Sequence, residues 1–328
     1  MLKEKYIDKK KYEKDLIDSI LYVIERNHGE NILTSIILTG SFGRNEPTYL
    51  ISDDGFLVLK SDVEIACVYK TDKVKADALI QRVKREFRED LNLMSISERR
   101  VKNAYNFNGS FITPKYKTIF MYDLFNGSKT IWGKDFIGSK HLGIDSCDPY
   151  EAKRLVANRI GELVYLSNIA ASDAGVLRKQ WKSKLILAIA SGWLICEKKY
   201  VSSYRHQLKK IEEDSTLVAN VLGDSFFEDY YKSFSFLRDS GDPFEVDNER
   251  LRIYARRINE YYVEKGLTKP RVNSVSRFVK YSLKYVRTVK GYGILNFEDG
   301  ILQSLITQFA NSDSRVKDTA EIWHRVLY

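Results

Sequence analysis

Ile36-Ile37-Leu38-Thr39-Gly40-Ser41-Phe42-Gly43-Arg44 is an apolar run ending in a sharp turn of two glycines beside a hydroxyl. Further on, Ser61-Asp62-Val63-Glu64-Ile65 sets two carboxylates two residues apart at the start of a strand-like run, Val63 to Tyr69. Side chains at i and i+2 of a strand point to the same face. Asp62 and Glu64 therefore converge, and paired carboxylates suit a hard divalent cation, which favours oxygen ligands. A glycine-hydroxyl turn beside such a pair fits a site that holds a triphosphate through Mg²⁺.

Between the two segments, Tyr49-Leu50-Ile51 and Phe56-Leu57-Val58-Leu59 flank Ser52-Asp53-Asp54-Gly55. An Asp-Gly pair between apolar runs predicts a hairpin, with Asp53 and Asp54 as turn residues. The run Lys73 to Glu89 reads as a helix. Leu91-Asn92-Leu93-Met94-Ser95-Ile96-Ser97 reads as a strand with no acid inside it, flanked by Asp90 and Glu98.

This order of features resembles the nucleotidyltransferase superfamily: the fold of DNA polymerase beta, the aminoglycoside nucleotidyltransferases and the minimal nucleotidyltransferases. The resemblance implies that Gly40 and Ser41 hold the nucleotide phosphates; Arg44, close after the turn, is a candidate to neutralise their charge, since its planar fork suits oxygen contacts. The resemblance also implies that Asp62 and Glu64 are the catalytic pair, binding Mg²⁺ as two ions. Asp123-Leu124-Phe125-Asn126-Gly127 with Lys129-Thr130-Ile131-Trp132-Gly133-Lys134-Asp135 looks like the segment closing the catalytic domain in many members, so the likeness covers roughly residues 30 to 140. The sequence departs from the family in two places. The connection from Ser41 to Asp62 is long. A third carboxylate on a later strand is not identifiable: Asn92 stands where an aspartate is expected, and Asp123 lies where Ile119, Tyr122 and Phe125 trace a helical face.

Upstream, Lys10 to Arg26 predicts an amphipathic helix with Leu16, Ile20, Val23 and Ile24 near one face. From Asn106 to Gly109 the chain reads as a loop, Thr118 to Phe125 as a helix, and Lys129 to Gly133 as a short strand. Beyond Pro149 the pattern turns helical. Helices are expected around Val156 to Ser167, Trp181 to Trp193, Phe226 to Leu237, Val246 to Glu264, Ser274 to Val289 and Ile301 to Phe309. The expected fold class is α+β: a nucleotidyltransferase mixed sheet with flanking helices over residues 1–148, then an all-helical acceptor-binding domain over 149–328. The acceptor is expected between the two. Trp181 to Leu208 looks like the helical part of nucleotidyltransferase-like proteins found with bacterial surface-polysaccharide genes. Tyr200, Tyr204 and Arg205 are candidates for sugar or phosphate contacts, with plain packing as the simpler reading.

The 328 residues carry a net charge of +9, which favours anionic partners without choosing among a triphosphate, a phosphorylated sugar and a nucleic acid. Arg277, Lys280, Lys284 and Arg287 form a basic stripe at helical spacing, read as a solvated face before a nucleic-acid surface. Cys67, Cys147 and Cys196 are odd in number and widely spaced, so neither a disulfide framework nor a zinc site is indicated. No apolar run is long enough to span a bilayer, and a reducing cytoplasm fits best. Three readings stand. The first is a Mg²⁺-dependent transferase moving a nucleoside monophosphate from NTP to a hydroxyl or phosphate of a small-molecule or glycan acceptor. The second is a catalytically silent nucleotide-binding or regulatory protein. The third is an RNA- or protein-modifying nucleotidyltransferase.

Overall fold

A computed structural model describes residues 8–51, 57–59, 61–87, 91–106, 118–166, 174–238, 244–267 and 297–320. The chain divides into two compact units. One comprises Met1–Asp148 with the short segment Val201–Tyr204, and the other comprises Pro149–Tyr200 with Arg205–Tyr328.

The first unit is built on a four-stranded mixed sheet. Its elements are α1 (Lys9–Arg26), β1 (Leu33–Thr39), the single turn α2 (Gly40–Gly43), β2 (Tyr49–Ile51), β3 (Leu57–Leu59), β4 (Val63–Tyr69), α3 (Lys73–Phe87), β5 (Leu91–Ser97), α4 (Glu98–Asn106), α5 (Ile119–Asn126) and β6 (Lys129–Gly133). The sheet order is β5-β4-β1-β6, with β1 antiparallel to both β4 and β6 and β4 parallel to β5. The parallel pair needs a crossover, and α3 supplies it. Val63, Ile65 and Cys67 of β4 and Leu91 and Leu93 of β5 face a core completed by Leu16, Ile20, Val23 and Ile24 of α1 and Ala76, Leu79, Ile80 and Val83 of α3. A bulge between Leu33 and Ser35 shifts the alternation of β1, so Leu33 and Ile36 reach that same core although three residues apart. The opposite face carries Thr39, Glu64 and Asn92 by alternation.

The hairpin stands apart from this sheet as a two-stranded ribbon, β2 pairing antiparallel with β3. Residues 52–56, which include the Asp53–Asp54 turn, lie outside the described residues. Tyr49 anchors the ribbon to α1. Its hydroxyl donates to Glu13 Oε1 at 2.8 Å, and its ring meets Tyr12 edge-on at 5.9 Å. The insertion is thus held by the first helix rather than spliced into the sheet.

The second unit is helical throughout its described residues: α6 (Tyr150–Leu166), α7 (Ala174–Cys196), α8 (Tyr204–Glu213), α9 (Ser215–Leu222), α10 (Phe226–Arg238), α11 (Asn248–Glu264) and α12 (Phe297–Ala310). The α7 helix is its axis. Leu185, Ile186, Ile189, Trp193 and Leu194 are all buried, and so are the residues between them from Leu187 to Ile195, Ser191 included. A helix buried on every side has no need of an amphipathic stripe. The polar exception is satisfied internally, Ser191 Oγ lying 2.7 Å from Gln207 Oε1. No helix among the described residues is long and apolar enough to cross a membrane.

Two expectations change. The helix α4 fills the stretch between β5 and the loop read from Asn106, whose remainder at 107–109 lies outside the described residues, and neither α4 nor α8 and α9 was anticipated. In each, only two buried residues mark the inner face: Val101 and Ala104, Gln207 and Ile211, Val218 and Leu222. So sparse a signal falls below what periodicity resolves. The anticipated helix over Ser274 to Val289, with its basic stripe, lies outside the described residues.

Candidate functional site

The Gly-Ser turn and the acidic pair meet at one end of the sheet because β1 and β4 are antiparallel neighbours. The last residue of β1, Thr39, pairs with Glu64, and Thr39 Oγ1 donates to the Glu64 carbonyl at 3.2 Å. Gly40 follows at φ +60°, the left-handed region in which a side chain is strained. A Cβ at Gly40 would lie 2.1 Å from Glu64 Oε2, so the carboxylate rests against the bare Cα of the turn. Gly43 is equally constrained by space: a Cβ there would stand 2.6 Å from both the Leu38 and the Gly127 carbonyl oxygens. The two glycines let the turn fold tightly between β4 and the start of β6.

Gly40→Ala tests this packing. Holding an L-residue in the left-handed region costs about 1–2 kcal/mol, and the Glu64 carboxylate must swing away. Urea unfolding is expected to show a loss of about that size. An unchanged midpoint would mean the turn relaxes freely and does not hold Glu64.

Asp62 is exposed and immediately precedes β4, while Glu64 is half-buried on it. Neither carboxylate makes a hydrogen bond or ion pair among the described residues. Two acids at the other end of the sheet differ in this. Glu98 is paired with Lys102 at 2.5 Å, and that contact lowers its pKa. Asp135 accepts from Thr130 Oγ1 at 2.8 Å and from the Gly138 and Ile137 amides, which together hold its carboxyl below the usual range.

Asn92 is the in-register partner of Glu64 on β5 and is exposed. The position beside Glu64 therefore holds an amide and not a third carboxylate. Asp123 belongs to helix α5, and Asp90 lies outside the described residues. No group of three histidine, cysteine, aspartate or glutamate side chains that could hold a metal ion occurs among the described residues. The donor set nevertheless fits one Mg²⁺, which keeps several waters and is commonly held by one or two carboxylates plus substrate phosphate. No third carboxylate joins the pair among the described residues.

Ser41 is buried, and its side chain has no hydrogen-bond partner among the described residues. Arg44 packs beside the turn. Its side chain is only 10% exposed, its Nε lies 3.5 Å from Glu46 Oε2, and its guanidinium lies 5.1 Å from the centre of the Tyr204 ring. Glu46 is the residue that sequence reasoning missed. It accepts from Ser203 Oγ at 2.5 Å and from the Tyr204 amide at 3.1 Å, and its own amide donates to the Ser41 carbonyl at 2.8 Å. The turn is thereby clamped from behind by Arg44, Glu46 and the Val201–Tyr204 segment. Of the other candidates, Tyr200 is buried and Arg205 exposed.

Neither a protein-family model, a curated protein nor a solved structure matches this chain.

Proposed function

We propose that the first unit is a Mg²⁺-dependent nucleotidyltransferase, moving a nucleoside monophosphate from NTP to an acceptor hydroxyl or phosphate. One observation carries the reading: two carboxylates without a partner among the described residues lie two apart at β4's leading end, and one of them, Glu64, packs against Gly40 where a Cβ would collide with it. Asp62 and Glu64 would hold Mg²⁺, which when bound supplies positive charge to the phosphoryl oxygens. The Gly40–Ser41 turn would contact the phosphates, and the Ser41 hydroxyl, without a hydrogen-bond partner among the described residues, would donate to them. Arg44 and Glu46 keep the turn in shape. The acceptor class this reading favours is a small molecule or a glycan precursor, ahead of nucleic acid.

The test is pyrophosphate release from each NTP in the presence of Mg²⁺, with sugar phosphates, other hydroxyl acceptors and tRNA offered in turn. Release that requires the metal and one acceptor class supports the reading. A folded protein that neither binds NTP nor releases pyrophosphate with any acceptor sinks it.

Asn92 favours a second reading, a nucleotide-binding protein without turnover, because it puts a neutral amide beside Glu64. Asn92→Asp separates the two. Adding a carboxylate raises the ligand charge, and Mg²⁺ affinity is expected to rise by about tenfold. If the natural chain is silent, NTP turnover should appear only in this variant. If the natural chain is active, Asn92→Asp changes metal affinity without being needed for release.

A further inference from the structure

The helical unit contains a cleft of about 340 Å³ far along the chain from the residues discussed so far. Its lining is contributed by α6, α7, α11, α12 and the turn that follows α12. That volume is at the lower end of the range for small-molecule sites, about 300–1,000 Å³.

The charges around it are one-sided. Among the described residues, Arg178, Lys182, Arg252 and Lys317 line the cleft against one carboxylate, Asp313. That carboxylate is already neutralised, because Arg315 grips both of its oxygens through Nε and Nη2. Two of the four cations are partly compensated. Lys182, only 4% exposed, donates to the Val246 carbonyl at 2.9 Å and lies 3.5 Å from Glu245, and Arg252 lies 3.4 Å from Glu249. The side chains of Arg178 and Lys317 have no hydrogen bond or ion pair among the described residues. A buried lysine, two cations without an ion pair among the described residues and an acid already held by Arg315 leave the cleft with an excess of positive charge.

The rest of the lining narrows the ligand. Phe309, Leu163 and Val164 give the cleft an apolar side, and Ser312 and Ser314 offer hydroxyls. An anion with a carbon body matches this better than a bare ion: the phosphate meets the cations and the body lies on Phe309. The cations gather around one small half-open cleft, a volume that suits a small ester better than an extended polyanion. We infer that this cleft is a binding site for a phosphate ester of sugar-phosphate size. The inference rests on the helical unit alone and stands whether or not the first unit transfers nucleotides.

The test uses the full chain in Mg²⁺-free buffer with chelator, titrated by calorimetry with glucose 1-phosphate and, separately, with inorganic phosphate. Glucose 1-phosphate is expected to bind more tightly than inorganic phosphate. Arg178→Ala/Lys317→Ala, which alters two exposed side chains, should weaken glucose 1-phosphate binding about a hundredfold with an unchanged melting temperature in the absence of ligand. Asp62→Ala/Glu64→Ala should bind it like the natural chain, so loss of binding in that variant would move the ester to the acidic site and overturn the inference. Equal binding by the natural chain and the Arg178→Ala/Lys317→Ala variant, or no binding to the natural chain, would also overturn it. So would a short polyuridine RNA that competes for these cations more tightly than the ester does.

Discussion

Asp62→Ala/Glu64→Ala is expected to lower Mg²⁺-dependent NTP turnover by about a thousandfold or more, with the fold intact. The size follows from what the carboxylates would supply. Holding a divalent cation at the phosphoryl oxygens contributes several kcal/mol of charge stabilisation, and each 1.4 kcal/mol is about tenfold in rate. The fold is expected to survive because neither side chain is tied to another described residue. Removing them breaks no hydrogen bond among the described residues and takes away two like charges set two residues apart. The double variant should therefore melt no lower than the natural chain and could melt higher. That combination, activity lost and stability kept, is what distinguishes a functional pair from a structural one. A variant that unfolds would show instead that the carboxylates support the sheet.

The same pair shows what can be read from sequence here and what cannot. β1, β4, β5 and β6 are legible because Ile36 to Leu38, Val63 to Tyr69, Leu91 to Ser97 and Lys129 to Gly133 are short apolar or alternating runs bounded by turns. The helix α1 is legible from Leu16, Ile20, Val23 and Ile24, which are all buried. Spacing also places Asp62 and Glu64 on one face. It cannot reveal that Gly40 and Glu64 touch, because that depends on the antiparallel register that sets Thr39 against Glu64. Glu46 was invisible for a stronger reason. Its partners, Ser203 and Tyr204, lie more than 150 positions away, and nothing local marks a carboxylate that will be spent on a distant amide. The commitment of Arg44 to Glu46 and Tyr204 was hidden by the same distance. The cationic cleft belongs to this class too. Arg178 and Lys182 are a turn apart on α7, but Arg252 and Lys317 come from α11 and the turn after α12.

In the helical unit the largest stability effect is expected at Asp229. This aspartate of α10 is 1% exposed. Its Oδ2 accepts from the Tyr254 hydroxyl at 2.7 Å and pairs with Arg250 Nη2 at 2.8 Å, both on α11. The Tyr254 hydroxyl is also 3.1 Å from Ser225 Oγ, and Phe226 meets the Tyr254 ring edge-on at 5.0 Å. Asp229→Ala strips the partner from a buried phenol and a half-exposed guanidinium, and a cost of about 2–3 kcal/mol is expected in urea unfolding. Asp229→Asn keeps an acceptor of the same shape and is expected to cost less. Burial pushes the Asp229 carboxyl up, against the opposing pull of Tyr254 and Arg250. Its proton is therefore held more tightly in the folded chain than in the unfolded one. Folding gains from this below the ordinary carboxylate range, about pH 4, and loses that gain as pH rises through the elevated value. The stability of the natural chain relative to Asp229→Asn should accordingly fall as pH is raised from about 4 toward neutrality. A difference that instead grows with pH would mean that Arg250 dominates over burial, making the ionised pair the stabilising form.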